Sequence, residues 1–147
     1  MSTPSLAEMF SRLLRAEEQG RAAKTVEIFG WLILFEGVVM LFAPHQVASL
    51  LHLQPLMDQA ADYLRLVGVL ASGVGMLYAV SGRLNAQGFV FASLLDRPLV
   101  PPLMAVLWYL GIVPVSLALA FSVQDFASFL WTLAAWRAER RAASRVG

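Results

Sequence analysis

Residues 98 to 124 carry no charged side chain. A run of that kind belongs in a bilayer, where about 20 apolar residues are needed to cross as a helix. The rest of the chain agrees. Of its 147 residues, 59% are hydrophobic and 14% charged, against about 45–50% and about 25% in a soluble domain. Mean hydropathy is +0.66. These values exclude a disordered chain, a collagen-like chain and most soluble enzymes. A net charge of +1 offers no field for nucleic acid. The absence of cysteine excludes disulfides, thiolate metal sites and cysteine nucleophiles.

The expected fold is all-α: a four-transmembrane-helix bundle in one domain, with an N-terminal amphipathic helix. Spans are expected at about 26–43, 60–82, 89–111 and 114–136. Pro44 closes the first, and 45–53 reads as a short amphipathic piece, too short to cross. The long apolar stretch from Phe89 to Trp136 divides best at Gly111-Ile112-Val113-Pro114, a tight turn. Pro98, Pro101 and Pro102 then fall in the third span, where they would kink it or delay its regular start to about Leu103. Trp108 and Tyr109 at one interface, with Trp131 and Trp136 at the other, form aromatic belts.

Before the first span, residues 1–24 read as an amphipathic helix. Thr3 would cap it and Pro4 suits its first turn. Leu6, Met9, Phe10, Leu13 and Leu14 share an apolar stripe. Glu8 with Arg12, and Glu17 with Arg21, have the favoured acid-first spacing of four. Such a helix lies in the headgroup region or packs on a partner. Early acids and a late apolar run argue against a secretory signal.

Charge placement decides the number of spans. With four, Arg12, Arg15, Arg21, Lys24, Arg83, Arg137, Arg140, Arg141 and Arg145 all fall on one side, and the opposite loops hold no Lys or Arg. The positive-inside rule then puts both termini, including the basic tail 137–147, in the cytoplasm. The second span is rich in small residues. Gly68 with Ser72, and Ala71 with Gly75, are small-xxx-small pairs that let helices approach closely in lipid.

Charges left inside spans are costly, face the bundle interior and usually pair. They are the candidate site: Glu36, Arg65, Arg97 and Asp125, with Asp62 and Asp96 as second candidates. At 1.5 Å per residue, Glu36 and Arg65 share the outer half and Arg97 and Asp125 the inner half. The expected pairs are therefore Glu36 with Arg65, itself flanked by Asp62, and Arg97 with Asp125. They serve either as structural pairs or as a polar pocket for an amphiphilic ligand. His45 and His52 read as interfacial residues, and no metal site or cofactor is expected. No nucleotide loop, Ser-His-Asp set or HExxH motif is present to suggest an enzyme.

A first span ending Gly37…Phe42-Ala43-Pro44, an amphipathic piece ending at Leu53, then Arg65-x-x-Gly68 with Gly75, resembles small four-helix bacterial membrane proteins of the DoxX-like type. The resemblance covers the first two spans. It implies a four-helix fold in a bacterial inner membrane and no particular chemistry. Two functions follow as expectations. One is a non-catalytic subunit or assembly partner of a larger membrane system, or of a second copy of itself. The other is binding, transport or conversion of a lipophilic small molecule through the intramembrane polar cluster.

Overall fold

The computed structural model describes residues 4–16 and 19–145. Its elements, in order, are α1 (Leu6–Arg15), α2 (Arg21–Phe42), α3 (Pro44–Leu50), α4 (Asp58–Arg83), α5 (Gln87–Asp96), a 3-10 turn (Arg97–Leu99), α6 (Val100–Tyr109) and α7 (Val115–Ala143). No strand occurs among the described residues. Four helices are long and apolar enough to cross a membrane: α2, α4, the unit Gln87–Tyr109, and α7. Many large apolar side chains on them are exposed, among them Leu66, Leu70, Leu77, Leu103 and Leu119. In lipid these faces need no cover, whereas in water they would be an aggregation surface.

The N-terminal segment is shorter than the sequence suggests. Its cap is Ser5, not Thr3, which lies outside the described residues. Ser5 accepts a hydrogen bond from the Glu8 amide at 3.3 Å, and the Glu8 carboxylate accepts one from the Ser5 amide at 2.7 Å. This capping box is written in the sequence as Ser-x-x-Glu. α1 stops at Arg15 because Ala16 adopts φ +48°, the left-handed conformation that ends helices. Residues 1–24 are therefore not one helix, since α2 begins at Arg21. The expected Glu17–Arg21 pair lies partly outside the described residues.

α2 and α4 form the most extensive helix pair and run antiparallel. Their contact is a seam without side-chain bulk. A Cβ added to Gly30 would overlap Ala79 and the Gly75 carbonyl; one on Gly75 would overlap Leu34; one on Gly82 would overlap Glu27 and Ala23. Gly37 meets Ser72 and Gly68 in the same way. Along α4 the seam reads Gly68, Ser72, Gly75, Ala79, Gly82. Along α2 it reads Ala23, Glu27, Gly30, Leu34, Gly37, Leu41. Both alternate steps of four and three, the repeat of α-helices paired in a left-handed supercoil. The seam thus continues from Gly75 through Ala79 to Gly82.

The third span does not lose its first half to prolines. Pro98 sits within the 3-10 turn, and Pro101 and Pro102 sit in the first turn of α6. Pro is tolerated in a first helical turn, where its missing N–H has least to bond. α6 then ends in a Schellman motif. Gly111, at φ +70°, donates to the Trp108 carbonyl, and Ile112 to that of Leu107, both at 2.9 Å. This is the tight turn into α7, which continues past Trp136 to Ala143, so most of the basic tail is helical.

The two ends of the bundle differ. Gln19, Gly20, Asn85 and Glu139 meet at one, the basic end. The Glu139 carboxylate there accepts from the Ala22 amide at 3.2 Å, placing negative charge at the N-terminus of α2. Beside it the small core of Ala22, Ala23, Val26 and Val90 packs against Tyr78, Phe89, Ala135 and Trp136. At the far end, residues 52–54 lie against the 111–114 turn. His45 and His52 are both exposed there.

Candidate functional site

Arg97 is the most enclosed charged residue described, 1% exposed. It lies at the 3-10 turn of the third span. Its Nη1 donates to the Thr132 hydroxyl at 2.9 Å and to the Ser128 carbonyl at 3.3 Å. Thr132 is fixed in turn by the Thr25 hydroxyl, which donates to it at 2.8 Å. The guanidinium carbon lies 4.1 Å from the Phe29 ring centroid and 5.1 Å from that of Tyr78. Those rings meet edge to face at 5.6 Å. Nε and Nη2 have no hydrogen-bond acceptor among the described residues. The aromatic faces offset part of the hydration the cation has lost, because cation–π attraction is strongest when desolvated.

The expected ion pair of Arg97 with Asp125 is not formed. Asp125 is half-buried on the same face of α7, but seven residues, about 10 Å of helix, separate it from Thr132. Helical side chains lean toward their own N-terminus. For the third span that is the basic end; for α7 it is the far end. The two side chains therefore lean apart. Asp96 is exposed, with its carboxylate 3.5 Å from the Tyr78 hydroxyl.

Glu36 does not meet Arg65 either. The seam sets Gly37 opposite Gly68 and Ser72, which leaves Arg65 about level with the end of α2. Arg65 instead pairs with Asp62 at 2.7 Å, three residues away on its own helix, with side chains 44% and 72% exposed. This pair belongs to the surface of the far end. Asp62 was expected to flank Arg65, and it is the part of that cluster that the structure brings together.

The acceptor role of Glu36 is taken up by Gln124, whose Nε2 donates to its carboxylate at 2.9 Å. The two line a cavity of about 260 Å³ with Phe35, Val39, Met40, Val47, Leu50, Leu51, Ala120 and Phe121. α2 and α7 form its walls and the amphipathic α3 lies across it. Apart from Glu36 and Gln124 its lining is apolar. Its volume falls just below the roughly 300–1,000 Å³ of sites for drug-sized ligands, so it suits something slim.

A third polar cluster, at the basic end, was not anticipated. The Arg83 Nη1 donates to Glu27 at 2.8 Å. Its Nε donates to the Leu13 carbonyl, and its Nη2 to that of Leu14 at 3.3 Å. Gln19 donates to both Glu27 and the Gly82 carbonyl. A cation on the open carbonyls of a helix C-terminus is favourable, so Arg83 fastens α1 to the bundle. Glu27 lies inside the expected first span and was open to the same reasoning as Glu36. Gln124 was visible as a polar side chain within the charge-free run. Tyr78 and Thr132, ordinary residues in apolar helices, carried no such signal.

Among the described residues, no group of His, Asp or Glu is placed to hold a metal ion. What the fold and these clusters define is a small integral membrane protein with four spans. Comparison with protein families, with curated proteins and with solved structures finds no match to the chain.

Proposed function

We propose that this protein binds a lipophilic small molecule in the membrane, without chemical conversion, in the cavity beside Glu36. The observation that carries this reading is the carboxylate itself. It lies in an apolar cavity with an amide as its hydrogen-bond donor, while the nearby cations Arg65 and Arg97 are engaged elsewhere. Intramembrane acids without a structural partner mark ligand or ion sites. Arg97, caged on three helices, is the structural charge of the bundle.

Occlusion tests the reading. Ala120→Trp would fill the cavity from α7 without touching the α2–α4 seam. Organic extracts of purified wild-type protein are expected to contain a small molecule near one per chain by mass spectrometry, and extracts of the variant to have lost it. Equal content in both would overturn the assignment of the cavity as the site.

A second reading is favoured by α1. Leu6, Phe10 and Leu14 are exposed along one stripe of that helix. A larger membrane system, a second copy of the chain, or the bilayer surface would cover such a stripe. A stoichiometric larger partner after mild solubilisation supports the subunit role; a lone protein supports the lipid surface. The location that fits is a bacterial inner membrane with both termini cytoplasmic. The gathering of basic residues at one end supports that orientation, and reporter fusions at residue 147 and near Asp58 test it.

A further inference from the structure

We propose that the ligand of the Glu36 cavity is a lipophilic cation: a slim apolar body carrying one protonated amine or quaternary ammonium. This rests on the reading above that the cavity is the binding site, and adds the charge of what it takes. Three observations lead to it.

The first is the chemistry of the lining. Eight of its ten residues are apolar or aromatic, and the two polar ones are Glu36 and Gln124. A carboxylate has about four acceptor positions, and Gln124 fills one of them. The remainder face a space with no cationic side chain on its walls. A ligand ammonium would supply charge-assisted hydrogen bonds there, about twice as strong as neutral ones.

The second is the surrounding charge. Asp125 directly follows Gln124 on α7, and no Lys or Arg stands on the cavity wall. Arg97 is turned to the basic end and held by Thr132, Ser128 and two rings. The interior near Glu36 is thus left with more acid than base. An anionic ligand would add to that excess, a neutral one would leave it unchanged, and a cation would offset it.

The third is the aromatic content of the lining. Phe35 and Phe121 stand on the cavity wall, and aromatic rings attract cations in a desolvated setting. The small volume limits the body to something narrow, such as a single alkyl chain.

The test uses three probes with the same chain and different heads: decylamine, 1-decanol and decanoate, at pH 7. Binding to the full-length protein in lipid nanodiscs is read by isothermal titration calorimetry. Empty nanodiscs correct for partition. Wild type is expected to bind decylamine at least ~10-fold tighter than decanol, about 1.4 kcal/mol, and decanoate weakest. Glu36→Gln is expected to bring decylamine down to the affinity of decanol. Ala120→Trp is expected to weaken all three, and it covers the case in which Glu36→Gln does not fold. If decanol binds as tightly as decylamine in wild type and Ala120→Trp still weakens both, the cavity stands as a site and the cationic ligand is wrong. If Ala120→Trp leaves all three unchanged, or none binds, the cavity reading itself fails.

Discussion

Arg97 and Glu36 are both charged residues well inside their spans, yet the bundle treats them differently. Arg97 is surrounded by side chains from α2, α4 and α7, and even its hydroxyl partner Thr132 has a partner of its own. Glu36 meets one amide in an apolar cleft. The helix pairs beside each also differ. α2 and α4 touch through glycines along their length, with no room for a methyl group. Between α2 and α7, beside Glu36, a cavity remains that α3 also lines. What this teaches is that burial of charge in lipid has two forms. One is complete and serves the fold; the other is left incomplete and open to an added molecule.

The contrast can be broken by placing a leucine in each of the two regions. Gly75→Leu would drive a side chain into the Leu34 backbone. The expected cost exceeds the roughly 1–3 kcal/mol of ordinary overpacking, because two helices must separate. Loss of the folded protein by size exclusion and thermal melting would show it. Ala120→Leu, at the cavity, is expected to melt within a few degrees of wild type. Similar damage from both would show that the two regions are equally packed.

Removal of hydrogen-bond partners sharpens the comparison. Thr132→Val takes away one of the two acceptors of Arg97 and the partner of Thr25. It is expected to cost about 1.5–3 kcal/mol, the range for a bond to a charged group. A double-mutant cycle should show stronger coupling of Arg97 to Thr132 than to Asp125. Gln124→Leu, which frees Glu36, is expected to cost less than Thr132→Val in melting experiments. The reverse order would move the structural role to Glu36.

The smallest effects concern the ion pairs at the two ends. Arg83→Ala leaves Glu27 without its cation and uncaps α1. Arg83 is partly exposed, and Gln19 still donates to the buried Glu27, so about 1 kcal/mol is expected. Its signature is local: faster amide exchange in α1, with the spans unchanged. Arg65→Ala, at the exposed far-end pair, is expected to cost roughly 0.2–0.5 kcal/mol and to alter no exchange beyond its own turn.

The spans were legible because hydropathy and the positions of Arg and Lys are properties of the chain alone. So was the small-residue face, although its continuation to Gly82 depends on where Glu27 and Ala23 stand opposite. Pairing of the buried charges was not legible. Depth along a helix counts Cα positions, whereas Arg97 and Asp125 reach in opposite directions from antiparallel helices. Arg65 was assigned to Glu36 on depth alone, yet Asp62, one turn away, competes for it at no cost in register. The cavity was beyond reach for a different reason: α3, packed on α2 and α4, closes a space that α7 also lines, and nothing in residues 44–50 states that direction.

The Arg97 cage also carries a consequence for the timing of synthesis. Its aromatic half, Phe29 and Tyr78, belongs to the first two spans, which join through a seam between sequence neighbours. That half is synthesised before the third span. Its oxygen half, Ser128 and Thr132, is made last. A chain halted after residue 112 would hold Arg97 against two rings with no acceptor for its N–H groups, a state with a charge still seeking water. Arrival of the fourth helix ends it. The arginine thus ties the third span to the last helix, which alone supplies its oxygen acceptors among the described residues.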